Sequence, residues 1–142
     1  MGAMQRTKGI AGERAVATLI RDWLGLDVRR NWQQQAAEGG SDLTGIPGWA
    51  VEVKWAKEWR SEWWDQCCRQ AVNCERMPAL IWLIDGTRRG QPPIERWRVM
   101  CPLNAISRYQ VENQPTMEIS LGAWMCIARE ILMEREQVNP SF

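Results

Sequence analysis

Apolar positions in residues 9–24 fall at Val16, Leu19, Ile20, Trp23 and Leu24, a three-and-four spacing that predicts a helix with one buried stripe, ended by Gly25. Residues 26–32 then read as a short strand, and the polar stretch NWQQQAAEGGS as a loop. Residues 42–55 predict a hairpin, because Ile46-Pro47-Gly48-Trp49 places Pro-Gly at the centre of a type II turn. A second helix is expected over 60–75, stopped before Pro78, and the run ALIWLID (79–85) is apolar enough for a fully buried strand. After the loop RRGQPP, residues 95–100 read as a strand and 102–108 as a short helix. Residues 116–121 read as a strand or a helix lead-in. Leu121, Trp124, Met125, Ala128, Ile131 and Leu132 then keep helical spacing, so a closing helix is expected over about 120–137.

Neither repeat nor linker divides the chain, and its 142 residues suit one domain with a substantial core, here placed over 8–108. Residues 1–7 are expected to be flexible, and Met1-Gly2-Ala3-Met4 reads as a cloning scar before the natural start. With 45% hydrophobic and 25% charged residues and no long apolar run, the expectation is a soluble cytoplasmic protein with no membrane contact. The five cysteines form no paired CxxC pattern and histidine is absent, which argues against zinc and against a disulfide framework. Ten tryptophans stand beside one tyrosine and one phenylalanine, and core packing is the default use for them. The net charge of +1 carries no polyelectrolyte signal. Within residues 1–60, however, nine basic side chains face seven acids, and neutralising Glu13, Asp42 and Glu52 with a cation would leave that region clearly positive.

The second arm of the hairpin raises a chemical question. In GWAVEVKWAKEW, alternation sends Val51, Val53 and Trp55 to one face and Glu52 and Lys54 to the other. A strand with one wet face gives that pattern without chemistry. Asp42 on the first arm and Glu13 on the first helix change the reading, since three carboxylates and a lysine can converge at one end of a sheet. Oxygen ligands of this kind suit a hard divalent cation, and a lysine beside them can orient water or support charge on phosphorus. The hairpin sets a condition. A plain four-residue turn pairs Ile46 with Trp49 and puts Asp42 opposite Val53, facing away from Glu52 and Lys54. Convergence requires a three- or five-residue loop, a bulge between Gly45 and Ala50, or an Asp42 that precedes regular pairing.

SDLTG (41–45), VEVKW (51–55) and DQCCRQA (65–71) resemble the motifs of the PD-(D/E)xK nucleases, in which an aspartate is followed by Glu-x-Lys on the next strand. KGIAGERA (8–15) resembles the opening helix of archaeal-type Holliday-junction resolvases, and the whole is also similar to small phage-encoded nucleases of that superfamily. The likeness covers roughly residues 8–72; Ser41 stands where the family's name has proline. It implies an α/β fold with a restriction-endonuclease-like core, a central mixed sheet flanked by helices in the order α-β-β-β-α-β.

The same resemblance implies Asp42 and Glu52 as metal ligands, the Val53 carbonyl as a backbone ligand, Lys54 as the catalytic lysine and Glu13 as a metal-linked glutamate. Gln66 resembles the helix-borne glutamine behind that lysine; Gln70, on the same face as Trp63, is the weaker candidate. Lys8, Arg14, Arg29, Arg30 and Lys57, with Ser41, are candidate DNA contacts, although Arg29 and Arg30 also suit a solvated strand edge. The expected function is Mg²⁺-dependent endonuclease cleavage, Mn²⁺ substituting, on branched DNA, by a homodimer in the cytoplasm of a bacterial host. The Trp-rich segment 55–64 and the closing helix are candidate dimer surfaces. Alternatives are a restriction-like, flap or repair nuclease of the same fold, a catalytically silent DNA-binding or assembly protein, and a tryptophan-rich interaction module.

Overall fold

The structure is a computed structural model and describes residues 3–31, 41–106 and 115–138. The first helix, α1 (Ala3–Leu24), begins well before residue 9 and buries Gly12, Val16, Ala17 and Ile20; of the stripe its spacing predicts, Val16 and Ile20 are buried, Leu19 and Leu24 pack partly against the core, and Trp23 is 45% exposed. Gly25 ends it at φ +68°, its N–H returning to the Arg21 carbonyl at 2.9 Å.

Two short strands follow, β1 (Arg29–Arg30) and β2 (Leu43–Thr44), then the long β3 (Trp49–Ala56). β1 is much shorter than the strand expected over 26–32, and the loop expected after it lies outside the described residues from 32 to 40. Between β2 and β3, Gly48 at φ +85° and the Trp49 N–H···O=C Ile46 bond of 3.2 Å close the expected Pro-Gly turn. A side chain at Gly48 would also strike the Arg135 guanidinium, whose Nη2 lies 2.5 Å from the position of a Cβ.

Helix α2 (Glu62–Cys74) crosses back so that β4 (Met77–Ile84) runs parallel to β3, from Trp49↔Met77 through Ala56↔Ile84. The strand expected over 95–100 is displaced. Pro93 opens a short helix, α3 (Pro93–Arg96), where its fixed φ is already helical, and β5 (Arg98–Pro102) starts only after it. The helix expected over 102–108 reduces to a 3₁₀ turn (Leu103–Ala105), residues 107 and beyond lying outside the described set. β6 (Thr116–Ser120) leads directly into α4 (Leu121–Val138).

Among the described residues the six strands lie in sequence order, β1-β2-β3-β4-β5-β6, all antiparallel except the β3–β4 pair. Their two faces differ. Val51, Val53, Ala79, Ile81, Leu83 and Val99 face α1 and α4 and form the main core, where Trp49 and Trp124 meet edge to face at 5.3 Å. Glu52, Lys54, Leu80 and Trp82 share the other face, where α2 covers the sheet with Trp63 and Cys67. α4 spends Leu121, Trp124, Met125 and Ala128 on the main core, so that face is not available to a second copy of the chain. Among the described residues no helix is long and apolar enough to cross a membrane.

Candidate active site

The hairpin meets the condition set by its sequence. Leu43 pairs with Val51, which brings residues 45 and 49 opposite each other and leaves 46–48 as a three-residue loop. The Asp42 N–H also donates to the Val51 carbonyl, at 2.9 Å, so two residues of one arm answer to one of the other. This bulge sits at the start of β2 and adds to the irregularity at the turn, where Thr44 and Gly45, the latter at φ +93°, stand against Ala50 alone between the Ile46–Trp49 bond and the Leu43–Val51 pair. Asp42 is thereby displaced from the position a plain turn would give it, and its Oδ2 accepts the Val53 N–H at 2.7 Å.

Asp42 and Glu52 are brought together by this displacement. Their carboxyls share a hydrogen bond, which requires a proton between them. Burial, then the Asp42 charge, pushes Glu52 well above the usual carboxylate range, with Lys54 pulling the other way. Ser41, Asp42 and Glu52 are the buried polar or charged side chains among the described residues, and Glu52 Oε1 has no hydrogen-bond partner there. A shared proton and an orphaned oxygen between adjacent buried carboxyls are the features a hard cation would satisfy, so this donor set fits a divalent ion. The Val53 N–H and C=O point to the same strand edge, so the Val53 carbonyl faces the Asp42 side as well.

Glu13 stands differently. Its Oε2 accepts from Arg30 Nε at 2.8 Å, joining α1 to β1. Burial raises its pKa, the Arg30 hydrogen bond opposes that, and the charges of Asp42 and Lys54 also reach it. It thus lies in the field of the pair without joining it, and among the described residues no three His, Cys, Asp or Glu side chains form a ready cage for a cation. The ligand expected at Glu13 and the phosphate contact expected at Arg30 hold each other.

The other expected DNA contacts are dispersed. Lys8 pairs with Asp85 and lies 5.2 Å from the Trp55 ring centroid, at the far end of β3. Arg14 is exposed beside Pro93 and Trp97, and exposed Arg29 bonds Asp27 at 3.1 Å. The Ser41 hydroxyl donates to the Leu43 carbonyl at 3.2 Å, which spends it on the turn. Lys57 is exposed on the loop after β3.

On α2, Gln66 and Gln70 are both half-buried, and it is Gln70 whose Oε1 is buried without a partner among the described residues. Cys67, between them, was not among the expected residues. Its thiol, packed with Trp63, Leu80 and Trp82, is pushed up first by burial and then by the Glu52 charge, so it lies in the field of the carboxylate pair. The signal was present, since Cys67 follows Trp63 by one helical turn on the buried face.

A family model described as "Phage putative PDDEXK endonuclease" matches residues 4–124. The chain belongs to this family. Membership makes it a nuclease of PDDEXK type, a class that uses divalent metal ions, and accounts for the mixed sheet with flanking helices as a restriction-endonuclease-like core. The chain is also similar to the solved structure of Hjc from Archaeoglobus fulgidus, a Holliday junction resolvase from an archaeal hyperthermophile. Identity is 15%, 86% of this chain and 96% of that one are covered, and the TM-score is 0.46. No curated protein matches the chain.

Proposed function

We propose that this PDDEXK nuclease is a Mg²⁺-dependent DNA endonuclease, Mn²⁺ substituting, that cuts branched DNA as a homodimer in the host cytoplasm. The observation that carries the catalytic part is the buried Asp42–Glu52 pair with Lys54 on the Glu52 face of β3. Asp42 and Glu52, with the Val53 carbonyl, would hold the cation, which when bound supplies positive charge to the scissile phosphate and acidifies a water. The Val53 N–H fixes the Asp42 carboxylate. Lys54 donates to the attacking water or to the phosphate oxygens as charge builds there. Gln66 positions Lys54, and Glu13 contributes once a substrate phosphate competes for Arg30. The preference for branched DNA and the dimer are supported by KGIAGERA in α1, the motif that resembles junction resolvases.

The test is cleavage of a labelled four-way junction beside linear duplex and single strand, with Mg²⁺ or Mn²⁺, by wild type, Asp42→Asn and Lys54→Ala. Paired symmetric nicks in the junction alone, lost in both variants, are expected. Equal cutting of all three substrates would discard the junction preference and keep the nuclease. Wild-type activity in Lys54→Ala would overturn the catalytic assignment.

A further inference from the structure

The segment Lys57-Glu58-Trp59-Arg60, between β3 and α2, is exposed throughout, although its tryptophan is among the residue types most easily buried. Trp59 is 39% exposed. Its ring packs 4.7 Å from Trp82 and 5.2 Å from Trp63, so its inner side rests on two largely buried indoles while the rest meets solvent. Trp82 is the register partner of Lys54 across the parallel β3–β4 pair, on the same face of the sheet. The supported ring therefore continues the catalytic face, away from the carboxylate pair.

Two observations identify what would cover it. Arg60 follows Trp59 directly in the chain, and its contact with Glu62 is 3.8 Å long with both side chains 67% exposed, too loose to hold the guanidinium against a phosphate, whereas the charge of Lys57 acts on Asp85. A partly exposed aromatic ring followed by a loosely held cation, next to the lysine proposed to meet the scissile phosphate, matches a nucleotide: base on the ring, an adjoining phosphate on the cation. Bases inside a duplex offer no free face, so the occupant is an unpaired one.

On the reading of the Asp42–Glu52–Lys54 site as a DNA-cleaving centre, we infer that Trp59 is a stacking platform for an unpaired base next to the scissile phosphate. Trp63 and Trp82 brace the ring by edge-on and tilted contacts, and Arg60 receives an adjoining phosphate. The platform gives the chain a physical means of preferring DNA with an unpaired base beside the scissile phosphate over a closed duplex.

The probe is a dye-labelled oligonucleotide carrying 2-aminopurine in an unpaired bulge, beside the same sequence as a perfect duplex, bound by the full chain in EDTA so that nothing is cut. Stacking is worth about 1–3 kcal/mol per base, so Trp59→Ala should weaken binding to the bulged probe by roughly 5- to 150-fold. Duplex binding should change little, and Trp59→Phe should recover most of the loss. Wild type should also quench 2-aminopurine, a readout that does not depend on the variant folding. Equal losses on both probes, no loss on either, or binding without quenching would each overturn the platform. These outcomes are independent of cleavage: a wild type that cuts DNA while Trp59→Ala binds the bulge normally loses only the platform. A wild type that quenches the probe but cuts nothing with any metal loses only the nuclease reading.

Discussion

The two faces of the β3–β4 pair are built from alternate residues of the same strands, yet they do opposite work. Toward α1 and α4, Val51, Val53, Ala79, Ile81 and Leu83 meet only apolar partners. Toward α2, Glu52 and Lys54 interrupt a smaller cluster of Trp63, Cys67, Leu80 and Trp82, and a carboxylate oxygen there is buried without a partner. Burying an unpaired polar group costs free energy, so one face stabilises the sheet against the charge stored on the other. The comparison predicts that substitutions on the first face lower stability with or without metal. Substitutions at the carboxylate pair should raise stability while removing function.

The largest effect is expected at Trp124. It is fully buried and meets Trp49 edge to face, so Trp124→Ala should cost about 3–5 kcal/mol. Its indole N–H has no partner among the described residues, so Trp124→Phe leaves no broken hydrogen bond and should cost roughly 1–2 kcal/mol. Denaturant midpoints measured in EDTA and again with Mg²⁺ should shift by equal amounts. A shift that depends on metal would place Trp124 outside the dry face.

Asp42→Asn should act in the opposite direction. The amide keeps an acceptor for the Val53 N–H and removes the charge that faces Glu52. The metal-free variant should therefore be more stable than wild type at pH 8, by on the order of 1–2 kcal/mol. The sign follows from linkage. Glu52, raised from its ordinary 4.5, holds a proton in the folded chain that the unfolded chain releases. Its contribution is complete below the ordinary value and is lost as pH rises through the elevated folded value. Metal-free wild type should thus lose stability from acid toward alkaline pH, and Asp42→Asn should flatten that slope. Added Mg²⁺ should raise the wild-type melting temperature and leave the variant's where it was. Parallel pH profiles for the two proteins would remove the stored charge from the account.

How far the sequence announces these features depends on the range of the interaction. α2, β4 and α4 follow from periodicity because each buries a stripe or a full strand whose spacing is local. Alternation also places Glu52 and Lys54 on one face, and the odd hairpin register is legible as a requirement, though not the further bulge at Asp42. β5 was misplaced because Glu95 to Val99 alternates like a strand, while Pro93 imposes a helical turn on its first half. What could not be read is the pairing of side chains distant in sequence. Arg30 holds Glu13 from another element, and Cys67 enters the field of Glu52 only after α2 folds back on β3. Those contacts depend on how elements are docked, which no local pattern encodes.

The smallest effect is expected at Asp85, where a carboxylate serves structure rather than storing charge. It accepts from Lys8 and, at 2.8 Å, from Trp55 Nε1, tying α1 to the ends of β3 and β4. The Lys8 hydrogen bond, opposed by slight burial and aided by Trp55, holds its pKa below the ordinary 3.8. Its contribution is therefore present above that value and lost as pH falls through the lower folded one, the reverse of Glu52. Because the group is solvent-exposed, Asp85→Asn should cost at most roughly 0.5 kcal/mol, and salt should shrink even that. Melting in EDTA from pH 3 to pH 9 separates the two carboxylates: the wild-type advantage over Asp85→Asn should vanish at the acid end, where the deficit relative to Asp42→Asn should also close. An Asp85→Asn deficit that instead grew toward alkaline pH would mean that charge is stored at both ends of β3, and the division of labour between the two faces would fail.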